Sequence, residues 1–235
     1  MAVKMFKKNK KTDEEVTYWL SFSDVMSSLL IIFLLLFVYK IMDYNQEIKN
    51  YNETLASKEA KIQELSNVRT KIIEKLLIEF GENIAIDKST GAIKLKSEIL
   101  FDSNKSELKP EGKEFLTTFI PKYLDILLGN REIKDNLSRI IIEGHTDDVG
   151  SYIYNLDLSQ DRASSVVKYI LTDSVNQKYI SGIEQYVSAI GRSKSDLIKN
   201  GDEVLMAESR RVEFKFQLKD EDTIKAILNE IRNGK

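Results

Sequence analysis

The chain has 235 residues, with 35 basic and 37 acidic side chains, one histidine and no cysteine. Its formal net charge of −2 excludes the broad basic surface of a nucleic-acid-binding protein. The lack of cysteine excludes disulfides and thiolate metal sites, and one histidine without clustered ligand residues argues against a zinc site.

An apolar segment from residue 20 to residue 39 contains a single charged side chain, Asp24. A helix of this length crosses a bilayer core of about 30 Å. The segment is too long for a signal-peptide core, and no small-residue cleavage site follows it, so we expect it to be retained. We predict a transmembrane helix over residues 19–39.

Lysines precede this predicted span at Lys4, Lys7, Lys8, Lys10 and Lys11. Positively charged residues next to a span stay on the cytoplasmic side of the membrane. We therefore predict a cytoplasmic tail over residues 1–18, a single pass, and about 195 residues on the outer side, which is enough for one folded domain.

Asp24 is the first candidate functional residue. A carboxylate at membrane depth costs about 2.5 kcal/mol or more, so such residues usually bind and release a cation. Ser21 and Ser28 lie on the same helical face as Asp24 and allow a partner helix to approach closely. We predict that Asp24 carries H⁺ or Na⁺. Two alternatives are a carboxylate that stays hydrated near the interface, five residues past Trp19, and a hydrogen-bonded packing position.

Residues 40–80 are predicted to form a coiled-coil stalk. No Gly or Pro interrupts them, and nine of eleven seam positions with alternating three- and four-residue spacing are apolar. The seam comprises Ile41, Tyr44, Ile48, Tyr51, Leu55, Lys58, Ile62, Leu65, Arg69, Ile72 and Leu76. A coiled coil needs a partner, so we predict a homodimer. The alternative is a single helix that packs on its own domain. Gly81 is a plausible helix end.

The remaining sequence alternates predicted strands and helices. The strands are predicted at residues 84–86, 92–96, 139–143, 186–190 and 212–218. The helices are predicted at residues 106–128, 158–172 and 223–232, with apolar residues at helical spacing. This order predicts an α/β sandwich in which helices cover one face of a small mixed sheet.

Several motifs in this part of the chain resemble the peptidoglycan-binding domain of the OmpA family. They are Phe101-Asp-Ser103, Gly144-His145-Thr146-Asp147, Asn155-Leu-Asp-Leu-Ser159, Arg162-Ala163 and Arg210-Arg211-Val212-Glu213-Phe214. The resemblance covers residues 84–218, and we place the domain at 81–219, followed by a C-terminal helix at 220–235. Residues 190–194 depart from the family pattern, which affects the expected conformation of that loop.

The resemblance implies that Asp147 and Arg162 bind the diaminopimelate of the cell wall. This ligand presents an ammonium and a carboxylate, which suit one anion and one planar cation. Thr146 and Asn155 are expected to support them by hydrogen bonding. The alternative is an Asp147–Arg162 ion pair that only shapes the loop. Of Arg210 and Arg211, which begin a strand, one is expected to help line the site and the other to be solvated.

The combination of an intramembrane acid with a wall-binding domain resembles the B subunits of ion-driven motors. The matching residues are Trp19-Leu-Ser-Phe-Ser-Asp24-Val-Met26. Flagellar stators (MotB-like) and Zorya anti-phage motors (ZorB-like) have this layout. The short chain, the early span and Ser27-Ser28-Leu29-Leu30 favour the Zorya type. A flagellar stator, a passive tether between inner membrane and wall, and a sensor of envelope damage are the alternatives.

This resemblance implies a homodimer inside a ring of five copies of a multi-span inner-membrane partner of the ZorA or MotA type. An ion would neutralise each Asp24 in turn and drive rotation, while the periplasmic domain holds the chain stationary on peptidoglycan. The transported H⁺ or Na⁺ is the only small ligand expected besides the wall, and no cofactor is implied. We find no set of nucleophile, base and oxyanion donors, so we expect no enzymatic activity.

Overall fold

The computed structural model describes residues 10–219. The predicted helix at 223–232 lies outside these residues, as does the first half of the predicted cytoplasmic tail. The chain divides after Ala60 into two compact units. The first contains the predicted span and the start of the predicted stalk, and the second contains the α/β domain.

Helix α1 runs from Lys10 to Phe80. From Ser21 onward it is long and apolar enough to cross a membrane, and its most apolar 18-residue window has a mean hydropathy of 2.4. None of that window is buried inside the chain. The Ser28 hydroxyl donates to the backbone carbonyl of Asp24 at 2.6 Å, so these two residues of the predicted polar stripe lie on one face of the helix.

The last twenty residues of α1 belong to the second unit. Their inward face is buried in the domain core through Leu65, Val68, Ile72, Leu76 and Phe80. Three of these positions, Leu65, Ile72 and Leu76, belong to the seam that predicted a coiled coil. The spacing that suits a coiled coil also suits a helix packed on its own domain, because both need one apolar stripe. The coiled coil stays a prediction for residues 40–60, and the folded unit begins at Lys61 rather than at 81.

The second unit contains a five-stranded mixed sheet, as predicted. Its strands in chain order are β1 (Ala85–Ile86), β2 (Ile93–Lys96), β3 (Leu137–His145), β4 (Val187–Gly191) and β7 (Arg211–Leu218). The spatial order is β1-β2-β7-β3-β4. Strands β3 and β4 are parallel, and the other neighbours are antiparallel. A small hairpin is formed by β5 (Lys199–Asn200) and β6 (Glu203–Val204).

Six helices and a 3₁₀ segment complete the described part of this unit. They are α2 (Ser97–Leu100), α3 (Pro110–Leu128), α4 (Arg131–Asn136), α5 (Tyr152–Thr172), the 3₁₀ segment Ser174–Tyr179, α6 (Ile180–Tyr186) and α7 (Met206–Ser209). Helix α3 begins four residues later than predicted, because a proline fits best in the first turn of a helix. Helix α5 begins six residues earlier, because Ser151 caps it by accepting from the N–H of Tyr154 at 3.2 Å.

The core lies where α1, α3 and α5 pack on the sheet. Alternate residues of β7 point into it, and Phe214 packs edge-on against Phe119 and Tyr123 of α3. At the end of β3, Gly144 lets α5 approach closely, since a Cβ there would lie 2.1 Å from the carbonyl oxygen of Ser159. This approach brings α5 against the loop that follows β3.

Candidate ligand-binding site

The loop after β3 presents the first predicted site residues. The N–H of Thr146, a 3% exposed residue, donates to the carbonyl of Ser193 at 3.0 Å. The Asp147 carboxylate accepts the N–H of Val149 through Oδ1 at 3.1 Å. Gly150 then turns the chain at a φ of 94°, a conformation that favours glycine. These contacts fix the direction of the Asp147 side chain.

Arg210 is the ion-pair partner of Asp147. Its Nη1 lies 2.7 Å from Asp147 Oδ2, and the side chains are 42% and 13% exposed. This corrects the alternative in which Asp147 pairs with Arg162. Of the two adjacent arginines, Arg210 lines the site. Arg211 is 6% exposed, so the expectation that the other arginine is solvated was wrong.

Arg162 projects from α5 toward the same place and is only 3% exposed. Its Nε donates to the carbonyl of Lys105 at 2.9 Å, and one Nη donates to the carbonyl of Asp102 at 3.4 Å. The guanidinium carbon lies 5.3 Å from the centre of the Phe101 ring. Backbone and ring together hold this cation in one orientation.

The surroundings of Arg162 affect the pKa of its guanidinium in opposite directions. Burial lowers the pKa of its guanidinium, and the nearby charge of Arg210 adds to that decrease. Tyr154 and Asp147 have the opposite effect and raise this pKa. A guanidinium stays protonated despite such shifts, so the site presents a desolvated cation that gains from a bound anion.

Asn155 connects α5 to the loop after β3 by a hydrogen bond. It is 2% exposed, and its Nδ2 donates to the carbonyl of Val149 at 2.9 Å. The Thr146 hydroxyl also donates locally, to the carbonyl of Asp147 at 3.1 Å. In this structure both predicted supporting residues shape the loop that holds the carboxylate.

The four predicted residues Thr146, Asp147, Asn155 and Arg162 line one cavity of about 540 Å³. The other lining residues are Ser97, Glu98, Phe101, Asp102, Ser103, Asn104, Val149, Gly150, Tyr154, Leu158, Met206 and Arg210. A carboxylate and a guanidinium that line the same cavity can bind the two charges of a zwitterion. Sequence analysis did not identify Tyr154, Met206 or Glu98, because they stand just before the recognised motifs, at one, four and three residues, and are not part of them.

A second polar cluster lies on β3 and β7. His145 is 1% exposed, and its Nε2 lies 3.5 Å from Glu143 and 4.0 Å from Glu213. Ligand atoms of these three side chains lie within 4.8 Å of one another, as a metal site requires. However, Lys215 contacts both carboxylates at 2.6 and 2.8 Å, and Arg211 pairs with Glu213. The two acids are already balanced by two cations, so the cluster stabilises the domain.

Comparison with known proteins places these motifs in context. Residues 100–204 match the OmpA family. The chain is 30% identical to Zorya protein ZorB of Escherichia coli (strain Crooks), over 94% of this chain and 96% of that protein. It is 29% identical to Zorya protein ZorB of Escherichia coli O139:H28, over 90% and 84% of the two chains. The solved periplasmic domain of Helicobacter pylori MotB covers 64% of this chain at 20% identity, with a TM-score of 0.44.

The resemblances identified from the sequence are confirmed by these relatives. The OmpA match is narrower than the predicted 84–218 but contains the loop after β3 and the whole of α5. The full-length similarity favours the Zorya type over the flagellar type.

Proposed function

Because the chain belongs to the family of Zorya protein ZorB, we propose that it is a stationary, peptidoglycan-anchored subunit of an ion-driven rotary motor in the bacterial inner membrane. The motor would serve Zorya anti-phage defence. The observation that carries the anchoring part is the cavity in which Asp147 and Arg162 lie together. The observation that carries the motor part is a single carboxylate, Asp24, in an otherwise apolar helix.

The anchoring site binds the zwitterionic end of a diaminopimelate residue. Asp147 accepts the ammonium, and Arg162 donates to the carboxylate. Thr146 and Asn155 hold the loop that positions Asp147. Both groups of that zwitterion are recognised at once, so replacing either one by a neutral amide would leave a charge of the site unpaired and weaken binding.

The membrane part uses Asp24 as the ion carrier. The N-terminus is cytoplasmic and the second unit is periplasmic, which follows the positive charges before the span. An H⁺ or Na⁺ that reaches Asp24 from the periplasm neutralises it and lowers its burial cost. Release to the cytoplasm restores the charge, and one charge moved across 100 mV supplies about 2.3 kcal/mol.

The assembly consists of two copies of this chain and a multi-span partner of the ZorA type. Residues 40–60 form the coiled coil between the copies, and five partner subunits surround the two spans. The apolar surface of α1 around Asp24 is exposed in the single chain, which suits a helix enclosed by partner helices. Alternation between the two Asp24 carboxylates turns the ring, and attachment to the wall keeps this chain still.

The test is phage plating efficiency and motility in cells that contain the native gene cluster. Asp24→Asn removes the charge with little change in size, and Asp43→Asn is the control because it removes a carboxylate beyond the predicted span. We expect Asp24→Asn to abolish protection without affecting motility, and Asp43→Asn to retain protection. Protection retained in Asp24→Asn would leave a passive tether as the function. Loss of motility instead would identify a flagellar stator.

A further inference from the structure

Residues 192–194 follow the edge strand β4 and lie against the loop after β3. The N–H of Arg192 donates to the carbonyl of Gly144 at 2.9 Å, and the carbonyl of Ser193 accepts the N–H of Thr146 at 3.0 Å. These two bonds extend the parallel ladder of β3 and β4 beyond the end of β4. The loop that carries Asp147 is therefore bonded to the segment 192–194 at the point where it leaves the sheet.

Ser193 connects the same segment to helix α5. It is fully buried, its N–H donates to Oγ of Ser159 at 2.9 Å, and its own Oγ donates to the carbonyl of Tyr152 at 2.8 Å. Ser159 lies in the middle of α5 and Tyr152 is its first residue. One buried side chain and its backbone thus join the loop of Asp147 to the helix that carries Arg162.

Ser193 adopts an unusual backbone conformation to make these bonds. Its φ is 51°, in the left-handed region that residues with a Cβ rarely adopt. A glycine would reach this conformation without strain, but it would lack the hydroxyl that bonds to Tyr152. Strained residues that the surrounding contacts maintain are concentrated at functional sites. Ser193 also lies in the part of the domain, residues 190–194, that departs from the family pattern, so the motifs did not predict this arrangement.

Lys194 holds the far side of the loop. Its ammonium donates to the carbonyls of Asp148 and Gly150 at 3.3 and 3.0 Å. Hydrogen bonds from a charged donor are stronger than those between neutral groups. The backbone is therefore held before Asp147 by Ser193 and after it by Lys194, and both contacts come from outside the loop.

We propose that Ser193 and Lys194 are positioning residues for wall binding, which hold the loop of Asp147 in a fixed relation to Arg162 before the ligand arrives. This inference rests on the proposed wall-binding function and adds two residues that do not line the cavity. A loop that is already ordered loses little conformational entropy on binding. A loop that adopts the binding conformation only part of the time binds more weakly by that fraction.

The test measures binding of the full-length protein in detergent to purified insoluble peptidoglycan. We expect Lys194→Met to weaken binding about tenfold, the factor for a loop that is in the binding conformation a tenth of the time. Lys194→Arg should recover most of this loss, because a guanidinium also donates to two acceptors. Lys199→Met is the matched control, since it removes the same charge from an exposed position in β5 of the same connection. We expect it to bind as the wild type does.

Hydrogen exchange of the same variants separates positioning from a general loss of structure. We expect Lys194→Met to exchange faster at residues 146–150 only, while the core strands exchange as in the wild type. Ser193→Ala is a second, independent variant, which removes the bond to Tyr152 and leaves the charges of the domain unchanged. It should weaken binding about fivefold, the factor that corresponds to one net hydrogen bond. Ser195→Ala, at an exposed position two residues further on, should have no effect.

Three results would overturn the positioning role while the wall-binding function stands. They are wild-type binding by both Lys194→Met and Ser193→Ala, an equal loss in Lys194→Met and Lys199→Met, and weaker binding with faster exchange throughout the domain. If the wild type itself does not bind peptidoglycan, the wall-binding function fails and the positioning role fails with it.

Discussion

Arg210 Nη1 lies 2.7 Å from Asp147 Oδ2, although the two residues are 63 positions apart in the sequence. The pair holds the carboxylate toward the cavity. A ligand ammonium must therefore share Asp147 with Arg210 or displace it. Because Arg210 is 42% exposed, the pair is screened by solvent and contributes little to folding.

We expect Asp147→Asn to separate binding from stability. The substitution should weaken binding to insoluble peptidoglycan at least tenfold, because the ligand ammonium loses its counter-ion. The free energy of unfolding should change by about 1 kcal/mol or less, as for other exposed ion pairs. Co-sedimentation with purified peptidoglycan and denaturation of the same protein measure the two effects. Asp161→Asn, on the exposed side of α5, is the control and should alter neither.

The cluster around Glu143 should make stability depend on acid pH. Burial by itself would raise the Glu143 pKa, but the neighbouring His145 and Lys215 outweigh burial and lower the pKa from 4.5 to about 2. A carboxyl with a lowered folded-state pKa adds stability above its unfolded value and loses it as the pH falls. The free energy of unfolding should therefore decrease between about pH 4.5 and pH 2.

The variant Lys215→Met tests the origin of that dependence. It keeps the length of the side chain but leaves Glu143 and Glu213 without a shared cation, which should cost about 2 kcal/mol at neutral pH. It should also flatten the acid dependence, because the Glu143 pKa returns toward its ordinary value. Lys94→Met is the control, since Lys94 is 38% exposed and 3.9 Å from Asp87. An equally steep acid transition in Lys215→Met would contradict this account.

The end of α1 should behave as part of the domain core. Ile72 is fully buried, so Ile72→Ala should lower the free energy of unfolding by about 3 kcal/mol through lost burial and a cavity. Ile78 lies on the same helix at 84% exposure, so Ile78→Ala should have almost no effect. Urea denaturation of the full-length protein measures both. Similar effects of the two variants would mean that this part of α1 does not pack as described.

Close packing of β3 on α5 should be needed for both stability and binding. Gly144→Ala places a Cβ 2.1 Å from the Ser159 carbonyl oxygen, which is backbone and cannot move independently. We expect a loss of about 3 kcal/mol and weaker peptidoglycan binding, because α5 carries Arg162. The control is Gly201→Ala, where no atom lies within 4 Å of the new Cβ. Gly201 has a positive φ of 62°, which an alanine adopts at a cost of about 1 kcal/mol, so we expect the control to lose only about that much stability.

The main elements of the fold could be predicted because their signals are local. Alternating apolar residues identified β7, and helical spacing identified α3 and α5. The first residues of the helices were predicted less well, because one residue decides each of them. Pro110 in the first turn of α3 and the cap Ser151 before α5 set the helix start, whatever the apolar spacing. The β5–β6 hairpin has two-residue strands in which only Val204 is apolar, so it carries no periodic signal.

The sequence by itself determined which chemical groups the protein has. A lone acid in an apolar helix, and Asp147 and Arg162 in recognisable motifs, depend only on residue type and spacing. The tertiary structure decided which partners those groups have. Asp147 pairs with Arg210 rather than with Arg162, and the last part of α1 packs in the core of the domain. Contacts between residues far apart depend on how the chain packs, and one apolar stripe fits several partners equally well.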